Sequence, residues 1–187
     1  MKKHLPLSIL VILAALSASA EVVHYKIDPV HSGIEFKVRH FLNKIPGTFA
    51  SFEGDILFDK DDPAKSSVTA TIEVKSIDTR NEKRDAHLQS DDYFKAGAFP
   101  NITFASTEWI AASDNTYTVK GILSMLGVDK AVELQVTFLG EMEARGSIRS
   151  GWEGTTKIDR NEWGLSAGKP AVGDEVEIEL NIQARRE

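Results

Sequence analysis

The sequence predicts an all-β fold of about eight antiparallel strands with one short helix. Three features carry this: apolar and polar residues alternate with period two in run after run, short turn-forming segments divide the runs, and a single stretch has helical character. Alternation buries one face of each strand and leaves the other in water. Connections this short favour antiparallel neighbours.

The first twenty residues stand apart. Lys2 and Lys3 precede an apolar run from Leu5 to Leu16 and the small residues Ser17-Ala18-Ser19-Ala20, the pattern of a secretory signal peptide cleaved after Ala20. The apolar run, about 12 residues, is shorter than the roughly 20 that span a bilayer as a helix. The chain has no cysteine, so neither a lipoprotein anchor nor a disulfide is expected, and the fold must rest on its hydrophobic core. The mature chain, residues 21–187, is expected to be a single soluble domain in the periplasm. Without Lys2 and Lys3 it carries 20 Lys and Arg against 28 Asp and Glu, a net charge of −8. That balance argues against a nucleic-acid partner and against adhesion to an anionic membrane surface.

A first strand is expected near residues 23–27, ending at Asp28-Pro29. Ile34, Phe36 and Val38 then alternate with Glu35, Lys37 and Arg39, and a noisier strand fits near 48–58 before the acidic turn Asp59-Lys60-Asp61-Asp62-Pro63. Val68, Ala70, Ile72 and Val74 mark the next. Thr79, followed three residues later by Glu82, has the form of a capping box. Arg80 to Gln89 contains neither Gly nor Pro, so a helix is expected over about 80–89, covering an end or open side of the sheet. After an irregular stretch through Tyr93, Phe94 and Pro100, strands fit near 102–109 and 116–124, divided by Ser113-Asp114-Asn115. Gly127-Val128-Asp129 reads as a turn before Val132, Leu134, Val136 and Phe138. A further strand fits near 146–158, and Gly173-Asp174 introduces the cleanest alternation, Val176 to Ile182. The same pattern suits a dry sandwich or a closed barrel wide enough for one slender ligand, and periodicity does not separate them.

Several motifs suggest chemistry that their context does not support. Gly164-Leu165-Ser166-Ala167-Gly168 matches a nucleophile elbow, but Lys169-Pro170 follows where that motif needs a helix. His31, His40 and His87 would suffice for a zinc site. On one continuous strand, however, His31 and His40 would point to opposite faces, and no ligand-spacing motif is present. The acidic loop at 59–62 lacks the glycine and glutamate of a calcium loop, with Ala64 and Ala70 in their places. Arg84, Asp85 and His87 fall within one helical turn and form either a solvated face or a set of polar contacts at a pocket mouth.

The segment from Tyr25 through Asp28-Pro29-Val30-His31 to His40 resembles the opening signature of the YceI-like proteins, a bacterial family of periplasmic, lipocalin-like barrels that bind polyisoprenoid lipids. Further segments are similar to the family's motifs in the same order: 47–54, 76–81, Arg84-Asp85-Ala86-His87-Leu88, 99–104, 121–128, Asp159-Arg160 with Trp163-Gly164, and 172–174. Met125-Leu126 before Gly127 and Trp163 in place of a phenylalanine depart from it. The resemblance implies an eight-stranded antiparallel barrel with a long internal tunnel, capped by the helix and holding an isoprenoid chain such as a polyprenyl phosphate or a quinone tail. It implies no catalytic residue, metal or cofactor. On this reading Phe36, Val38, Phe49, Phe58, Ile72, Phe104, Leu123, Val136, Phe138 and Trp152 line the interior, and His31, His40, Arg84, Asp85 and His87 lie nearer the polar end. Two other readings stand beside it. One is a lipid-modifying enzyme using the polar cluster, and the other is a barrel that exchanges a quinone with a membrane redox protein, as a monomer or homodimer.

Overall fold

A computed structural model describes residues 21–187; the expected signal peptide lies outside the described residues. The strands are β1 (Val23–Ile27), β2 (Gly33–His40), β3 (Asn43–Phe49), β4 (Phe52–Phe58), β5 (Ser67–Glu73), β6 (Ile77–Asp78), β7 (Asn101–Ser113), β8 (Thr116–Met125), β9 (Val128–Ala144), β10 (Ser147–Asp159) and β11 (Val172–Arg186). One helix, α1 (Glu82–Gln89), lies between β6 and β7. The eleven segments make eight staves, because three staves are broken: β1 from β2 by a 3₁₀ turn at Pro29–His31, β3 from β4 at Ala50-Ser51, and β5 from β6 by a 3₁₀ turn at Val74–Ser76. All pairings are antiparallel, and the ring β1-β4-β5-β7-β8-β9-β10-β11 closes on β1. The molecule is therefore a closed barrel, not a sandwich. β11 is long enough to pair with β2 from Val172 to Asn181 and with β1 from Ala184 to Arg186, so it joins both halves of the first stave.

The break in that stave is held by Asp28. Pro29 has no N–H to continue the ladder, and the Asp28 carboxylate accepts from the Val30 amide, His31 Nδ1, Arg149 and Gln183 Nε2. Burial pushes the Asp28 carboxyl up, but its bonds with His31, Val30 and Arg149 outweigh this and hold it below the ordinary carboxylate range. A group depressed in the folded state stabilises it above its unfolded pKa, about 4, and that contribution is lost as pH falls through the folded value. Asp28→Asn is accordingly expected to lower the urea midpoint at neutral pH, with the difference from wild type shrinking below about pH 4.

At one end the barrel wall is incomplete, since β6 stops at Asp78 and β7 begins only at Asn101. α1 and the segment after it fill this opening: Gln89 Nε2 donates to the Lys75 carbonyl, the Val74 amide to that of Pro100, and Phe94 packs edge-on against Phe49. The helix starts two residues later than its sequence suggests. Arg80 has φ +63°, which turns the chain out of helical geometry, and Asn81, not Thr79, caps it by accepting from the Arg84 amide. Two turn expectations also shift. The β8–β9 hairpin turns on Leu126-Gly127, with φ of +55° and +74°, so Val128 and Asp129 belong to β9, while Gly173-Asp174 lies inside β11 at an irregularity in its pairing with β2.

Candidate ligand cavity

The inward face of the barrel does not close on itself. It surrounds a cavity of about 440 Å³, within the roughly 300–1,000 Å³ typical of small-molecule pockets. On β11 the lining runs from Val172 to Ile182, ten residue steps or roughly 33 Å of strand at about 3.3 Å per step, so the cavity is long and narrow. Val176, Ile178, Leu180 and Ile182, the alternation that is clearest in the sequence, all face it. Two wall rings are set by glycines on the neighbouring strand. Phe36 lies across Gly47 and Phe104 across Gly121, where an added Cβ would come within 2.2 Å and 2.4 Å of the ring.

One end is shut by aromatic packing. Phe58 contacts Trp109, Tyr117, Phe138 and Trp152 at centroid distances of 4.8–6.0 Å, and Phe138 lies 4.5 Å from Trp152. Tyr25, edge-on to Trp152, donates its hydroxyl to Glu141. Burial first, and then the Glu141 bond and charge, push that phenol well above its ordinary pKa. Edge-on and tilted aromatic contacts of this kind add about 0.5–1.5 kcal/mol per pair to the area they bury, which makes this end the rigid floor.

At the opposite end the cavity reaches water, since the lining residues His40 and His87 are exposed. Here it acquires polar groups. Arg84 uses Nε on the Thr79 hydroxyl and one terminal nitrogen on the Thr79 carbonyl, and no carboxylate lies within ion-pair distance of it among the described residues. The rest of its fork has no protein partner among the described residues, so N–H donors are left for a ligand. Arg160, 4% exposed, is committed differently: it donates to the carbonyls of Leu165, Ala167, Val172 and Gly173 and clamps the 164–173 loop beside the mouth. His87 Nε2 is 3.3 Å from Asp92. Asp85 turns back to accept from the Thr79 amide and hydroxyl, and so forms no relay with His87.

The YceI-like domain profile matches residues 25–184. The chain belongs to the YceI-like family. The UPF0312 proteins of Photorhabdus laumondii and Yersinia enterocolitica are 34% and 33% identical to it, each alignment covering 91% of this chain and 91% and 90% of the relative. Among solved structures, Burkholderia cenocepacia BcnA superposes with a TM-score of 0.76 at 25% identity, covering 84% of this chain and 98% of that one. A polyisoprenoid binding domain from Saccharophagus degradans superposes with a TM-score of 0.70 at 13% identity, over 89% of this chain and all of the other, a likeness of fold alone.

In this YceI-like barrel the cavity wall contains Phe36, Val38, Phe49, Ile72, Phe104, Leu123, Val136 and Trp152. Phe58 and Phe138 also face inward, where they form the aromatic floor beneath Trp109 and Trp152. Of the expected polar set, His40, Arg84 and His87 line the cavity. His31 does not, because the break between β1 and β2 places it on the outer flank against Asp28. Asp85 does not line it either, being turned to Thr79. Arg160, Leu88, Tyr93 and Phe94 also line it, although the sequence reading did not place them at the site. Ser166 is exposed in a loop of turns, without the strand and helix that a nucleophile elbow requires. Among the described residues, no three His, Cys, Asp or Glu side chains converge as a metal site would require.

Proposed function

We propose that this chain is a periplasmic binding and carrier protein that holds one long isoprenoid-type lipid, a polyprenyl phosphate or a quinone, with its tail in the barrel and its head at the helix-capped mouth. The observation that carries this reading is the shape and chemistry of the cavity: long, predominantly apolar, floored by aromatics, and with His40, Arg84 and His87 gathered where it opens. Burial of a hydrocarbon tail is worth about 0.8 kcal/mol per CH₂, so a tail of several isoprene units more than offsets an association cost of about 4–15 kcal/mol. The leader pattern at residues 1–20 supports export, and the name of the Saccharophagus neighbour is consistent with such a cargo. A lipid-modifying enzyme is less well supported, since Asp85 and His87 are each engaged elsewhere and do not form an acid–base pair.

Arg84 is the residue placed to select the head group. A hydrogen bond from a charged donor is worth about 1.5–3 kcal/mol, so Arg84→Met is expected to weaken binding of an oxygen-bearing isoprenoid by roughly ten- to a hundredfold, while a bare hydrocarbon tail binds as before. Fluorescence competition with the two ligand types measures this. The reading as a whole is tested by organic extraction of protein purified from its native host, followed by mass spectrometry. A defined isoprenoid species is expected, and extracts without lipid would overturn it.

A further inference from the structure

The β2–β3 hairpin turns on Phe41 and Leu42, which are 67% and 89% exposed. Two large apolar side chains at a hairpin tip gain no burial there. Phe41 also has φ +51°, a left-handed conformation that a bulky residue adopts at a cost and that glycine or asparagine would adopt more readily. Folding alone therefore disfavours this residue at this position, and an unfavourable backbone at an exposed tip points to a use.

The tip stands at the mouth. His40, which lines the cavity, precedes it and packs edge-on to the Phe41 ring at 4.8 Å. The Phe41 amide donates to the Ala171 carbonyl at 2.7 Å, and the next residue, Val172, lines the cavity and pairs with His40. Arg39 folds back over the turn and donates to the Leu42 carbonyl, without a carboxylate partner among the described residues. A phenylalanine and a leucine with a cation at their base is the arrangement that places apolar groups among acyl chains and the charge among head groups. A protein partner fits less well, since a stable interface needs about 800 Å² from each side and two side chains cannot supply it.

We propose that the Phe41–Leu42 tip inserts into the surface of a lipid bilayer and holds the cavity mouth against it, so that the cargo passes between membrane and barrel without crossing water. The proposal rests on the lipid reading of the cavity for its purpose, but not for its first test. Because the mature chain is acidic, insertion is driven by the apolar tip, and neutral phosphatidylcholine vesicles suffice.

The first test is Phe41→Trp. Trp109, Trp152 and Trp163 are 4%, 3% and 2% exposed, so the new indole is the only one in water. Its emission should shift to the blue and lose iodide quenching on adding phosphatidylcholine vesicles, whether or not the cavity is filled. No shift at any lipid concentration overturns the proposal. The second is the double variant Phe41→Ser with Leu42→Ser. Transfer of a fluorescent polyprenyl probe from vesicles should slow by roughly tenfold or more, with unchanged equilibrium affinity for the same probe added from solvent. Transfer at the wild-type rate also overturns it. If wild-type protein takes up the probe in neither format, the lipid reading of the cavity fails, and the emission shift still decides insertion.

Discussion

Replacing Ala70 by Trp is expected to abolish lipid binding while leaving the barrel folded. Ala70 lies midway along β5, faces the cavity, and is paired with Gly54 on one side and Phe104 on the other. An indole there projects across a channel of about 440 Å³ whose far end is already shut by Phe58 and its neighbours. A long tail has no way past, and only a short stub of it can be buried above the block. Losing even four methylenes of burial removes about 3 kcal/mol, roughly a hundredfold in affinity. The cost to folding is small, since the side chain enters empty space and so avoids the about 1–3 kcal/mol of overpacking a filled core. Titration with a fluorescent isoprenoid and a thermal melt on the same preparation separate the two effects.

Arg160→Leu is expected to have the opposite profile, with a large loss of stability centred on one loop. The guanidinium is buried, has no carboxylate within ion-pair distance among the described residues, and satisfies the carbonyls of Leu165, Ala167, Val172 and Gly173. Truncation leaves these acceptors unpaired, each at about 1–3 kcal/mol when water cannot reach it. With some relaxation of the loop to readmit water, a net loss of about 2–4 kcal/mol follows from the unpaired carbonyls. Hydrogen exchange should show the 164–173 segment opening before the rest of the barrel. Arg160→Lys is expected to recover only part of the loss, because a point-like ammonium does not span four carbonyls.

The fold was legible wherever one face of a strand is buried, and the β11 residues Val176 to Ile182 show why: each apolar residue faces the cavity and each intervening polar one faces water. The same period says which side of the sheet a residue faces but nothing of its height along the barrel axis. Phe58 and Phe138 therefore carried the same signal as Phe36 and Phe104, although one pair forms the floor and the other the wall. The polar residues were legible in type and not in direction. Asp85 shares a helical turn with Arg84, but its carboxylate is taken by Thr79. The odd spacing of His31 and His40 assumed one continuous strand, which the 3₁₀ turn at Pro29–His31 breaks. Arg160 stood out only as part of a family-like motif and its role was not legible, because its partners are backbone carbonyls, which any residue supplies.

The central claim, that the barrel carries one lipid in this cavity, is tested most directly by native mass spectrometry of the intact protein purified from its own host. The expected result is a single discrete adduct per chain, released by organic solvent and missing from Ala70→Trp. An apo mass alone, or an adduct that survives in Ala70→Trp, would contradict it.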